Sequence, residues 1–117
     1  MIYRIINRTK NIILAEEAKL ADSFILRLIG LMFKRALNRK EALIFYAADS
    51  IHTFFMRFAL DILFLDKGMK VKRIVRGLKP FRFVFCFGAF ATIELSSAND
   101  NLKDTQENDL IDIEEVL

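Results

Sequence analysis

The chain is poor in the residues that build covalent cross-links and metal centres. Its 117 residues include one cysteine, Cys86, and one histidine, His52. A single cysteine excludes an internal disulfide and a cysteine-based zinc site. A single histidine excludes a multi-histidine metal centre. Tryptophan is absent, and one proline with four glycines leaves little turn punctuation. The longest uncharged apolar run, Phe83 to Ile93, has eleven residues; a membrane-spanning helix needs about 20. Arg4, Arg8 and Lys10 interrupt what would be the apolar core of a leader, so no signal peptide is read there. These absences predict a cytoplasmic protein with no membrane span and a reduced thiol.

Apolar residues make up 54% of the chain and charged residues 28%, which excludes disorder. A chain of this length buries roughly 65% of its unfolded surface, enough for a core without staples. The expectation is a single domain over residues 1–117 with an acidic C-terminal segment, 100–117. Charge is unevenly spread. Residues 94–117 carry eight acids and one lysine, against seventeen basic residues and seven acids before them. From Lys67 to Arg82 there are seven basic residues and no acid; from Arg27 to Lys40 there are five and none. Such windows suit a polyanion, but no base-reading motif accompanies them. The plainer expectation is that the acidic tail packs beside the basic windows or that both are solvated.

Secondary-structure signals are mostly those of strands. Ile2–Ile6 and Asn11–Glu16 flank a polar turn. Ala42–Ala47, Ile51–Arg57, Leu60–Asp66, Val71–Arg76, Phe81–Phe87 and Ala91–Leu95 are rich in β-branched and aromatic residues. Leu60–Leu65 is apolar on both strand faces except at Asp61, which predicts a covered central strand. Asp66-Lys67-Gly68 reads as a hairpin turn. One helix is predicted over Phe24–Phe33, from the cap candidates Asp22 and Ser23 and the spacing of Phe24, Leu28 and Leu31. The resulting expectation is a mainly β, α+β domain. It would have a compact barrel-like or sandwich-like antiparallel sheet with one substantial helix packed on it.

The stretch Ile51–Asp66, IHTFFMRFALDILFLD, closely resembles the signature block of the family called domain of unknown function 192. Ala21, Asp22, Ser23, Arg27, Gly30, Leu31, Met32 and Lys34 fit its upstream segment, and Leu78–Arg82 and Ala91–Leu95 fit later blocks. The resemblance implies a compact β-barrel-like domain with a helix against it, and no assigned activity. Ala59 stands where the family often has proline. Glu94-Leu95 continues as Ser96-Ser97 rather than with proline and glycine. Phe24, Ile25 and Leu26 replace the usual proline and acids of the first helical turn.

Candidate functional residues are few. Arg57 and Asp61 flank a short turn and could hold a ligand or fix the turn. Glu94, in an apolar strand, is a second carboxylate; beside Asp61 it would make an acid–base pair thinkable. His52 is a general-base candidate beside Phe54 and Met56, and Lys79 a candidate cation. Together Arg57, Asp61, Lys79, Glu94 and His52 form a candidate ligand or structural polar cluster. Cys86 reads as an inert buried thiol. Phe81, Phe83, Phe85 and Phe87 alternate and would share one strand face, by default the core. Twelve phenylalanines are many for so small a core, so a surplus would form an exposed interface; Phe24, Ile25, Phe83 and Phe85 are its candidates. No phosphate loop, metal-ligand spacing or nucleophile elbow is present, so no catalytic residue, metal or cofactor is assigned. The leading expectation is a non-enzymatic binding or accessory module, possessing a protein partner or associating with itself. A small carboxylate-dependent enzyme is the alternative. A polyanion binder acting through residues 67–82 is the third, although nucleic acid is not the expected partner.

Overall fold

The fold is given by a computed structural model, which describes residues 1–21, 40–52, 58–97 and 102–116. Nine strands follow one another: β1 (Tyr3–Asn7), β2 (Ile12–Leu20), β3 (Glu41–Tyr46), β4 (Ser50–His52), β5 (Leu60–Leu65), β6 (Val71–Leu78), β7 (Phe83–Phe85), β8 (Ala91–Ser96) and β9 (Ile111–Glu115). Seven form one sheet in the order β6-β5-β8-β3-β2-β1-β9, and β4 pairs with β7 in a separate ribbon. The large sheet curls into a half-barrel.

Two expectations are corrected. The chain is nearly all β, and no α-helix occurs among the described residues, so the α+β class with a substantial packed helix is withdrawn. The helix expected over Phe24–Phe33 lies outside the described residues. The described interior is filled by strand side chains with period-two alternation, which is why the described core needs no helical layer. The sheet is also mixed rather than antiparallel throughout, because β2 and β3 run parallel, with Glu17 opposite Glu41 and Leu20 opposite Ile44. Their connection is too long for a hairpin, and parallel pairing needs such a crossover.

Strand β5 is buried at all six positions, as its continuous apolar pattern predicts. Leu63 and Leu65 point into the curl with Ile44, Ile93, Leu95 and Ile5. Leu60, Ile62 and Phe64 point to the outer face, where Ile51 of β4 and Cys86 after β7 cover them. The half-barrel thus has a core inside and a second apolar layer outside. The Asp66 carboxylate closes the β5–β6 hairpin by accepting from Gly68 N at 2.9 Å and Lys70 N at 3.0 Å.

The edge strands β6 and β9 meet at one point, where Lys70 bridges Leu110. Val71 N donates to Asp109 O at 2.9 Å, and Asn108 N donates to Val71 O at 2.8 Å. A buried polar network fixes this seam. Asn7 Nδ2 donates to Thr105 Oγ1 at 3.0 Å and to Asp109 Oδ2 at 2.9 Å. Asn7 Oδ1 accepts from Lys10 N at 3.0 Å, and Lys10 Nζ lies 3.0 Å from Asp109 Oδ1. From β6, Arg76 Nη2 donates to the carbonyls of Leu102 and Thr105, at 3.1 and 2.8 Å.

Candidate functional site

The five polar candidates do not form one cluster. In the β5–β8 register Asp61 faces Leu95, and Ile62 faces Glu94. Paired residues share a sheet face and successive ones alternate. Asp61 therefore lies on the inner face with Leu63 and Leu95, and Glu94 on the outer face with Ile62. The sheet itself stands between the two carboxyls, so they cannot share a proton or a substrate. Arg57 lies outside the described residues. Lys79 is exposed at the end of β6, and His52 is exposed on β4, with its Cα opposite that of Phe83.

Asp61 accepts a hydrogen bond from Gly77 N at 2.8 Å. Gly77 has φ +64°, at the register shift where Leu60 pairs with Leu78 and Ile62 with Val75. The carboxylate thus satisfies an amide that the irregular ladder leaves over. Burial pushes the Asp61 carboxyl above its ordinary range, partly offset by the Gly77 amide and the Arg76 charge.

Glu94 is the more unusual group. It is 5% exposed, and its Oε2 has no hydrogen-bond partner. Burial alone pushes its pKa up to about 8. Its neighbours across the strands are Leu43 and Ile62. Thr92, on the same face of β8, donates from Oγ1 to Ala48 O at 2.7 Å. At neutral pH Glu94 is a protonated, donor-bearing carboxyl inside an apolar layer, a state that suits hydrogen bonding rather than charge pairing. Among the described residues no group of three acidic, histidine or cysteine side chains could hold a metal ion.

The outer ribbon presents the largest apolar feature. Along Phe81–Phe87 the alternation is kept, but its sense is reversed from the default of core burial. Val84 is half-buried and Cys86 buried in the outer layer. Phe81, Phe83, Phe85 and Phe87 face out, at 59, 59, 57 and 84% exposure. The reason is competition for a thin layer: β5 and β3 already supply Leu60, Ile62, Phe64 and Phe45. Val84 and Cys86 fit above them, and larger rings would not. At about 200 Å² per ring, the ridge offers roughly 500 Å² of aromatic surface. Phe83 and Phe85 are thus two of the interface candidates placed outside; Phe24 and Ile25 lie outside the described residues.

Charge around the ridge is mainly basic, with exposed Asp49, whose carbonyl accepts from Cys86 N at 2.7 Å, as an acid beside it. Arg73 Nη1 donates to Phe85 O at 2.7 Å, and Lys72 Nζ lies 3.2 Å from where a Cβ on Gly88 would stand. Among the described residues no ion pair neutralises Lys67, Lys70, Lys72 or Arg73, while Arg76 acts on the Asp61 carboxyl. The acidic tail packs beside this window at the seam, where the backbone of Leu102, Thr105, Asn108 and Asp109 bonds Arg76 and Val71, while three of its acids pair elsewhere. Asp112 and Glu114 pair with Arg8, at 2.8 and 3.3 Å, Glu114 also with Arg4 at 3.1 Å, and Asp109 with Lys10. The β1–β9 register dictates this, since it sets Arg4 opposite Glu114.

No described helix is long and apolar enough to cross a membrane. A solved chain of unknown function from Novosphingobium aromaticivorans shares the fold, with TM-score 0.78 at 17% identity over 96% of this chain and 84% of that one. A second, from Sinorhizobium meliloti, whose description proposes a transcription regulator, gives TM-score 0.77 at 18% identity over 94% and 90%. The UPF0127 protein of Pyrococcus horikoshii is 40% identical over 84 residues, 67% of this chain and 70% of that protein. The family model described as an uncharacterized ACR, domain of unknown function 192, matches residues 5–100, and the chain belongs to that family.

Proposed function

We propose that the protein is a non-catalytic docking module that engages its partner through the Phe81–Phe87 ridge. The observation that carries this reading is the outward display of four alternate phenylalanines while Val84 and Cys86 anchor the same segment. An apolar patch of this size is at the upper end for a monomer and commonly marks a contact surface. The backbone of Phe83 and Phe85 is fixed: β7 pairs with β4, and Arg73 holds the Phe85 carbonyl. A pre-ordered surface loses less entropy on binding. A cytoplasmic setting forms part of the proposal, and the buried thiol of Cys86 accommodates it.

The test is fractionation of gently lysed cells producing the wild type or a Phe83→Ser, Phe87→Ser double variant. The wild type is expected in a large assembly or the particulate fraction, and the variant as a free 13.6 kDa chain. Both side chains are exposed, so the variant should keep its thermal transition. A wild type that runs as the free monomer overturns the reading.

A further inference from the structure

Resting on that docking reading, we infer that the ridge seats on an anionic lipid surface, with the rings in the interfacial layer and the β6 cations on the headgroups. The inference follows from two features that coincide in space. Phe83 and Phe85 project from one face of β7, and Phe81 and Phe87, at the bend before it and the turn after it, are exposed as well. The cations of β6 border the same segment: Arg73 holds the Phe85 carbonyl, and Lys72 reaches to Gly88. Lys67, Lys70 and Lys72 carry no ion pair among the described residues, and three tail acids, Asp109, Asp112 and Glu114, are paired with Lys10, Arg8 and Arg4 instead. Apolar insertion and a basic patch are the two signals that together give stable, reversible membrane attachment.

The other occupants fit less well. A second copy packed ridge to ridge about a twofold axis would bring both sets of β6 cations together, Lys72 and Arg73 of each copy against only Asp49. A nucleic acid strand would satisfy the cations. It would stack on ring faces but leave ring edges wet, and within Phe81–Phe87 it would find only Arg82 as a strong hydrogen-bonding side chain. A lipid interface surrounds the rings and supplies the anions.

The experiment is co-sedimentation of the full chain with vesicles of phosphatidylglycerol and phosphatidylcholine, or of phosphatidylcholine alone. Wild type is expected to bind the anionic vesicles, weakly the neutral ones, and less as salt rises. Phe83→Ser, Phe87→Ser should lower the partition at least about tenfold, from the two rings no longer buried. Lys72→Ala should lower it about fivefold, one charge at the surface. Absence of binding to anionic vesicles overturns the inference, as does binding that the double ring variant leaves unchanged. Preference for oligothymidylate over vesicles, or a ridge-dependent dimer in sedimentation, overturns it in favour of those occupants. If vesicles fail while the ridge-dependent assembly in cell extracts persists, the lipid inference falls and the docking reading stands. If that assembly too is missing, both fall.

Discussion

Replacing Glu94 by glutamine tests the strangest group in the molecule. Its carboxyl is buried, its Oε2 is unpartnered, and burial raises its pKa from 4.5 to about 8. The native state therefore keeps the proton in a range where the unfolded chain releases it. Stability is fully retained below about pH 4.5, falls as pH rises, and levels off above about pH 8. Each unit in that window costs about 1.4 kcal/mol. The native state thus loses about 3 kcal/mol by pH 7 and about 5 kcal/mol at pH 8 and above, relative to acid. Against a typical total of roughly 5–15 kcal/mol, that is a large share.

Glutamine keeps the shape and removes the titration. A buried amide has its own unmet hydrogen bonds, but their cost is the same at every pH. The readout is therefore the difference between variant and wild type, measured by urea unfolding from ~pH 5 to ~pH 9. That difference should climb in the variant's favour by about 1.4 kcal/mol per unit up to pH ~8 and then flatten. Asp61, whose pKa is also raised, is common to both proteins and cancels. Parallel profiles for the two proteins would refute the reasoning, because they would mean that Glu94 ionises in the native state at no cost.

Asn7→Ala should cost about 3 kcal/mol in urea unfolding, since it removes three hydrogen bonds and strips Asp109 of a buried donor. The same seam makes the protein acid-sensitive. Burial alone would raise the Asp109 carboxyl, but bonds from Asn7, Gln106 N and Lys10, with the Lys10 charge, hold it below its ordinary range. Its contribution is present above pH 3.8, the model-peptide value, and is lost as pH falls through the lower native one. An Asp109→Asn variant should lose that acid limb of the unfolding profile. Gly77→Ala should cost about 1 kcal/mol from the left-handed backbone alone, because an added Cβ meets nothing within 4 Å. Asp61→Ala should cost about 1–3 kcal/mol by stranding the Gly77 amide; a neutral result would show that water replaces the carboxylate.

Much of the strand layout was legible because strands write themselves at period two. Leu60–Leu65 announced a strand covered on both faces, and Asp66-Lys67-Gly68 a hairpin, and both are present. Alternation also put the four ridge phenylalanines on one face, yet could not say which face was out. That depended on how much volume β3 and β5 had already placed in the outer layer, a tertiary quantity. The polar candidates failed for a related reason. Asp61 and Glu94 are both carboxyls in apolar strands, but whether they meet is a matter of register, and the register sets them on opposite faces. The seam network was missed outright: Asn7 and Asp109 are far apart in sequence and join only when β1 pairs with β9. The one hint was Asn7 at turn spacing before Lys10. The mixed sheet was missed because the sequence between β2 and β3 drew attention as a helix rather than as a crossover.

The charge asymmetry acquires its meaning from the same pairing. A tail with a net of six negative charges over residues 100–117 could have screened any basic part of the chain. The β1–β9 ladder commits Asp112 and Glu114 to Arg4 and Arg8, and the seam commits Asp109 to Lys10. These are partly exposed pairs, each worth little in stability. Their consequence is positional: they hold Asp109, Asp112 and Glu114 along β1 and its turn, while Lys72 and Arg73 stand beside the ridge without an acidic partner among the described residues. The topology therefore segregates charge that the composition nearly balances, and it does so with backbone register rather than with strong ion pairs. A neutral-looking chain can in this way present one basic, aromatic surface, which is the combination a docking module for an anionic partner requires.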